Sequence, residues 1–230
     1  MRTIVNINQK WAFTKRADSI PDKIHNDWDF VNLPHTWNAI DGQDGGADYY
    51  RGKGYYAKKI IRAELPEADR YYLEIKGANS VCEVYVDGKL LKKHEGGYSI
   101  FRVNLTDSLK AESLLVIVCD NSENEKVYPQ MADFTFYGGL YRDVSIICVP
   151  ESHFELEYYG TPGLKVTPTV HGKDAGIDFE VYLINQNPDK TVRYSILDAD
   201  GNTIDQKKSY ESRVHFEINN AHLWHGKKDP

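Results

Sequence analysis

The residues with the strongest chemical character run Asp133-Phe134-Thr135-Phe136-Tyr137-Gly138-Gly139-Leu140-Tyr141-Arg142-Asp143-Val144. A carboxylate opens the stretch, aromatic rings crowd its middle, and two adjacent glycines precede the apolar run Val144 to Val149. Adjacent glycines admit positive φ or a tight bend that bulkier residues resist. A bend there turns the rings away from the strand and presents Asp133 at a sheet end. Arg142 and Asp143 sit where the strand begins, and a guanidinium in that place can hold carboxylates or carbonyls in a fixed fork. One reading is a sugar site: carboxylates take hydroxyls, and rings take the apolar face of a pyranose. The other is a loop and a core strand closed by a structural ion pair.

Other chemistry-bearing residues point elsewhere. The eight histidines do not cluster with the three cysteines at 82, 119 and 148, so no zinc set forms. An odd cysteine count with apolar neighbours implies buried free thiols and a reducing compartment. The glycine-rich, acidic stretch Asn38 to Gly54 has the Asp and Gly spacing of a calcium loop but lacks the closing Glu, and reads as surface loop. His35 follows Pro34 with no nucleophile paired to it and reads as a hydrogen-bonded structural residue. Trp11 and Trp37 read as core or interdomain aromatics.

The elements that must position these residues are strands. Ile4 to Phe13 alternates and reads as one edge strand, and Ile24 and Trp28, four apart, suggest a single helical turn within Asp22 to Asp29. Strands follow at Gly54–Ala63, Arg70–Lys76, Ser80–Val86, Lys89–His94, Tyr98–Leu105, Leu114–Cys119 and Val144–Val149. Asp87-Gly88 marks a hairpin, and the nearly all-apolar Leu114–Cys119 a central strand. Eight or nine strands without a long amphipathic helix predict a jelly-roll β-sandwich over 1–150. After Pro150, six or seven short strands predict an immunoglobulin-like β-sandwich over 151–230. The fold class is therefore all-β.

The chain has 230 residues, 41% hydrophobic and 12% aromatic, enough to bury a core. Lys+Arg 28 against Asp+Glu 34 gives a net charge of -6, which argues against nucleic acid as a partner. No run of 18 apolar residues appears, so no membrane partner is expected. Met1 to Trp11 has no signal pattern, and the expected location is cytoplasmic.

Taken together, these pieces resemble glycoside hydrolase family 2, β-galactosidases most of all, over the whole chain. Ile7-Asn8-Gln9-Lys10-Trp11-Ala12-Phe13 is similar to the family's opening strand. Leu33-Pro34-His35-Thr36-Trp37-Asn38 is similar to its L-P-H-T-W-N segment, and Tyr50-Arg51-Gly52-Lys53-Gly54-Tyr55-Tyr56 to its Y-R-G turn. Val118-Cys119-Asp120-Asn121-Ser122 resembles its V-D-N-S strand end. Asp133-Phe134 through Gly138-Gly139-Leu140-Tyr141-Arg142-Asp143-Val144 resembles its D-F…G-G-I-Y-R signature. Leu223-Trp224-His225-Gly226 to Pro230 resembles the linker into the catalytic (β/α)₈ barrel.

The resemblance implies a noncatalytic N-terminal part of a retaining β-galactosidase-like hydrolase. Both catalytic glutamates belong to a C-terminal barrel that this chain does not contain, so the chain alone is expected to be inactive. The partners implied are that barrel and a galactoside or related sugar. Asp133 is implied to contact the sugar in the first subsite, in some members beside a monovalent cation. The loop around Arg51, which stands where a β-galactosidase has Asn, is implied to approach the same mouth. Gly138, Gly139, Tyr141 and Arg142 form the structural signature, with Arg142 expected to be a buried cation. No cofactor is required by this chain, a monovalent or divalent cation belongs to the full-length enzyme, and Asp133 is the one metal candidate. Self-association through the barrel-docking face would give a homo-oligomer. The alternatives are a stand-alone carbohydrate-binding module and a structural or adhesion sandwich.

Overall fold

The structure is a computed structural model that describes residues 1–39, 41, 49–127, 136–224 and 226–228. The chain divides into two compact units, Met1–Glu151 and Ser152–Pro230. Helical structure among the described residues is confined to short 3₁₀ turns at Arg62–Glu64, Thr106–Ser108 and Gly226–Lys228. No helix of the described residues is long and apolar enough to cross a membrane.

The first unit contains β1 (Thr3–Asn6), β2 (Trp11–Thr14), β3 (Asp29–Val31), β4 (Lys53–Ile61) and β5 (Arg70–Ile75). It continues with β6 (Val81–Val86), β7 (Lys89–Glu95), β8 (Phe101–Asn104), β9 (Glu112–Asp120) and β10 (Val144–Val149). They form a four-stranded sheet in the order β1-β10-β5-β8 and a six-stranded sheet in the order β3-β2-β4-β9-β6-β7. Paired strands in both are antiparallel.

One face of each sheet supplies the core. Leu73, Ile75, Val103, Val144 and Ile146 face Trp11, Phe13, Tyr56, Val84, Leu115 and Ile117. Burying an aliphatic or aromatic side chain of this size contributes about 1.5–3 kcal/mol, so the interleaved faces hold the sandwich together. All six residues of β10 are buried, as its apolar run requires of a strand flanked on both edges. β9 is equally central, between β4 and β6.

The β6–β7 hairpin turns on Asp87 (φ 49) and Gly88 (φ 80). Positive φ at both central residues is the I′ pattern that matches strand twist. Glu74 and Arg102 stand opposite each other on β5 and β8 and form a buried ion pair at 2.7 Å. Cys82, Cys119 and Cys148 are free and buried. Cys82 and Cys119 are register partners on β6 and β9, and burial pushes the Cys119 thiol up.

Two local expectations are corrected. Ile4 to Phe13 is not one edge strand: β1 pairs with β10 in one sheet, and β2 pairs with β3 and β4 in the other. The chain crosses between sheets at Ile7–Lys10, where the Ile7 N–H donates to the Val144 carbonyl and Lys10 takes φ 56. Asp22 to Asp29 forms turns and the start of β3 rather than a helical turn. Ile20, Ile24 and Trp28 instead cover the outer face of the six-stranded sheet over Ala12, Tyr55, Ala57, Val116 and Val118.

The second unit contains β11 (His153–Phe154), β12 (Leu164–His171), β13 (Asp174–Val181), β14 (Leu183–Ile184), β15 (Val192–Leu197), β16 (Thr203–Ser209) and β17 (Arg213–Ile218). Its sheets are β11-β14, β12-β13-β17 and β15-β16. The alternating residues Ile177, Phe179 and Val181 join Tyr194 and Phe216 in its core.

On β17, His215 is held by Asp178 at 2.7 Å through Nδ1 and by Glu217 at 2.8 Å through Nε2. These bonds raise its pKa above the ordinary 6.5, the Glu217 bond most and Asp178 next. A histidine with a raised folded pKa adds stability that is fully present below the unfolded value and is lost as pH rises through the folded one. The denaturation midpoint of the chain should therefore fall as pH rises from about 6 to 8.5, and His215→Gln should flatten that limb. A urea midpoint of His215→Gln with the wild-type slope would remove His215 as its source.

Candidate functional site

The motifs converge at loops flanking β3, β4, β9 and β10, and the structure shows why each is needed. Asn38 is fully buried and all its amide valences are used. Its Oδ1 accepts the Gly138 N–H at 2.8 Å and the Asn121 Nδ2–H at 3.1 Å. Its Nδ2 donates to Asp41 Oδ2 at 2.9 Å and to the Tyr50 carbonyl at 3.0 Å. One side chain thus ties the loop after β3 to the loop before β4, to the end of β9 and to the Gly138-Gly139 turn.

Asn121 completes the tie. Its Oδ1 accepts the Gly52 N–H at 2.8 Å, its N–H donates to the Gly52 carbonyl at 3.2 Å, and its own carbonyl accepts Arg51 Nε at 3.0 Å. The Tyr49 hydroxyl donates to the Phe136 carbonyl, and burial pushes the Tyr49 phenol up while the Arg51 charge opposes this. Sequence reasoning quoted Asn38 and Asn121 within their motifs but gave neither a role. The available signal was that each motif carries an amide in the loop past a strand, Asn38 after β3 and Asn121 after β9, where an Asn side chain can replace backbone partners.

The two glycines are places of close approach. A Cβ on Gly138 would stand inside the Trp37 indole and 2.7 Å from Asn121 Nδ2. Gly139 has φ 118, and a Cβ there would lie 2.5 Å from the Tyr56 hydroxyl and 2.8 Å from the His35 carbonyl. Gly139 also bridges Asn79, with N–H to carbonyl bonds of 3.1 and 3.3 Å.

Trp37 is buried and stacks on Phe13 with centroids 6.0 Å apart. Its Nε1–H has no acceptor among the described residues, and nothing in the structure explains that. His35 bonds Tyr56 through Nδ1 at 2.8 Å. Burial lowers the His35 pKa and raises that of Tyr56 well above its ordinary value, so both are neutral near pH 7.

The remaining site residues fall as follows. Asp133 lies outside the described residues. Tyr141 is half-buried and its hydroxyl donates to the Gly97 carbonyl. Arg142 is exposed, not the buried cation expected. Its Nη1 donates to the Tyr98 carbonyl at 3.2 Å and the Lys76 carbonyl at 3.4 Å, and its guanidinium lies 5.3 Å from the Tyr141 ring centre. Snorkelling over Tyr141 satisfies the charge at the surface without desolvating it. The ion pair at the head of β10 belongs to Asp143, with Lys76 at 3.2 Å and Asn8 Nδ2 donating at 2.9 Å. Both partners depress the Asp143 pKa, Asn8 most. No group of three or more His, Cys, Asp or Glu is gathered for a metal among the described residues.

Residues 5–150 match the family profile described as glycosyl hydrolases family 2, sugar binding domain. The chain belongs to glycosyl hydrolase family 2, of whose members it forms an N-terminal region. It is 31% identical, over its full length, to a β-glucuronidase of Bacteroides fragilis, of which it covers 34%. A β-galactosidase of Thermoanaerobacter pseudethanolicus is 25% identical over 75% of the chain, which covers 25% of that protein. Among solved structures, an FMN-binding β-glucuronidase from Facaelibacterium prausnitzii L2-6 superposes with a TM-score of 0.83 at 36% identity, over 97% of this chain and 35% of that one. A putative β-galactosidase from Bacteroides fragilis gives 0.84 at 30% identity, over 99% and 37%. The chain spans about a third of the length of the first curated relatives it matches. Names of both glycosidase types occur among these relatives, so the expectation of a β-galactosidase is reduced to the family they share, with β-glucuronidase names at the higher identities.

Proposed function

We propose that the chain is the noncatalytic N-terminal part of a longer family 2 glycosidase. In this reading it carries the catalytic barrel and lends Asp133 and the Arg51 loop to the mouth of the active site. The observation that carries the proposal is coverage: the whole chain aligns with a β-glucuronidase of which it spans 34%. The geometry is consistent with a supporting role. Asn38 and Asn121 fix the loops at one another's backbone, as a rigid wall of a site requires, whereas hydrolysis with retention needs two carboxyl groups about 5 Å apart across the glycosidic bond. The substrate is a β-glucuronide or β-galactoside, the two classes named among the relatives, and the reading keeps the enzyme cytoplasmic.

Expression of the 230 residues alone and of the complete reading frame, each assayed on nitrophenyl β-glucuronide and β-galactoside, tests the proposal. Turnover by the complete product and none by the chain is expected. Turnover by the chain alone, abolished by one Glu substitution, would refute it. Micromolar saccharide affinity of the chain by calorimetry would favour a binding module instead.

A further inference from the structure

We propose that Cys82 and Cys119 are a redox-sensitive pair, closing reversibly to a cross-strand disulfide that ties together the strand ends holding the Gly138-Gly139 turn. The two are register partners on β6 and β9. Both are fully buried in the core between the sheets of the first unit. The ladder bonds show how their backbones face. In an antiparallel pair, residues that bond each other alternate with residues whose backbone bonds point away from one another. Across β4 and β9, Arg62 donates to the Ala111 carbonyl at 3.0 Å and Asn121 to the Gly52 carbonyl at 3.2 Å. Counted in steps of two from either bond, Cys119 turns its backbone toward Gly54. Across β6 and β9, Asp87 donates to the Leu114 carbonyl at 2.9 Å, and the same alternation makes Cys82 and Cys119 a non-bonded pair. In such a pair the Cα atoms stand about 4.5 Å apart, at the short end of the roughly 4.4–6.8 Å that a disulfide spans. Disulfides at the edge of that range are strained and readily reduced. Cys148 has no such partner, since its neighbours in register on β1 and β5 are Thr3 and Tyr71.

At rest the pair is guarded. Burial, and after it a hydrogen bond shared with the Cys82 thiol, push the Cys119 thiol up, and a protonated thiol is a poor nucleophile. Reaction with hydrogen peroxide therefore waits on opening of the β6–β7 hairpin, which lies at the edge of its sheet. One thiolate then attacks a peroxide oxygen, the O–O bond breaks, and the departing hydroxide takes a proton and leaves as water. The second thiol attacks the resulting sulfenic sulfur, the S–O bond breaks, and the hydroxyl group leaves with that thiol's proton as a second water. Two thiols are oxidised by two electrons, and one peroxide is reduced to two waters.

The new bond would stand between two loop anchors. Asn79, just before β6, exchanges backbone bonds with Gly139 and donates Nδ2 to the Tyr137 carbonyl at 3.0 Å. Asn121, just after β9, bonds Asn38, which also takes the Gly138 N–H. Ser80 and Asp120 already join these ends: the Asp120 carbonyl accepts the Ser80 N–H and hydroxyl, each at 3.0 Å. A covalent link beside them stops β6 from parting from β9, so the turn loses that route of local opening.

The complete polypeptide is treated with dilute hydrogen peroxide, in buffer and in urea below its unfolding midpoint, then alkylated, digested and mapped by mass. The peptides of Cys82 and Cys119 should be joined, with the loss of two hydrogens, and parted again by dithiothreitol. Cys148 should stay an alkylatable thiol, and Cys148→Ala should leave the link unchanged. Joining should be faster in the urea, where the hairpin opens more often. Cys82→Ala should leave Cys119 as a sulfenic acid that dimedone traps. In the oxidised protein, amide exchange at Gly138 and Gly139 should slow by about tenfold. A pair still free in urea just below the midpoint, or a link from either residue to Cys148, would overturn the assignment. Exchange at the two glycines that is the same in both forms would also overturn it, because the link would not reach the turn.

Discussion

Gly138→Ala should lower the stability of the first sandwich by about 3 kcal/mol, at the upper end for one inserted methyl group. The new Cβ would stand inside the indole of Trp37 and 2.7 Å from Asn121 Nδ2. Neither neighbour can retreat. Trp37 is buried and stacked on Phe13, and a Cβ on Gly54, on the indole's other edge, would also collide with it. Asn121 is held by Asn38, Gly52 and Tyr50. Gly88→Ala is the comparison: its φ is 80, but a Cβ there meets nothing within 4 Å. It should cost only the conformational term of about 1 kcal/mol. Urea midpoints of both variants decide the matter. A Gly138→Ala no less stable than Gly88→Ala would mean that the loop relaxes away from Trp37 and that the close approach is not a constraint.

The signals that were legible in the sequence are those with a period or a fixed turn chemistry. β10 and β9 follow from runs in which nearly every residue is apolar, because a strand buried on both faces leaves few polar positions, here Ser145 in β10 and the ends of β9. The β6–β7 turn follows from Asp87-Gly88, since few residues accept two positive φ angles in succession. The split of Ile4 to Phe13 between sheets was not legible: both pieces face one core, so alternation continues across the crossing. Ile24 and Trp28 misled for a related reason. Four-residue spacing marks a helix face, yet it also suits a loop laid over Ala57 and Val116. Arg142 was misplaced because its type shows charge and reach but not whether its stem lies over Tyr141 or beneath it. The Asn38 and Asn121 tie had no periodic signal at all. Four loops distant in sequence meet there, and only their backbones, once folded, show which amide holds which.

That tie is the second place where a small change should have a large effect. Asn38→Ala removes bonds to Gly138, Asn121, Asp41 and Tyr50 together. It leaves the Gly138 N–H and the Asp41 carboxylate buried without that partner, and a stranded buried group costs about 1–3 kcal/mol. A loss of about 3 kcal/mol is expected, smaller than a sum over four bonds because the groups act as one network. Asn38→Asp separates the hydrogen-bond role from simple space filling. It keeps the shape but replaces the amide donor with an acceptor, facing the Asp41 carboxylate and the Tyr50 carbonyl. At neutral pH it should be less stable than Asn38→Ala. A carboxyl beside Asp41 has a raised folded pKa, so its destabilisation is largest above that value and shrinks as pH falls and it takes up a proton. The gap between Asn38→Asp and Asn38→Ala should therefore narrow from pH 7.5 to pH 5, measured as urea midpoints at each pH. If the two variants stay parallel across that range, or if both lie within 1 kcal/mol of wild type, then Asn38 does not hold the loops. Arg51 and the Gly138-Gly139 turn would then owe their placement to the backbone alone.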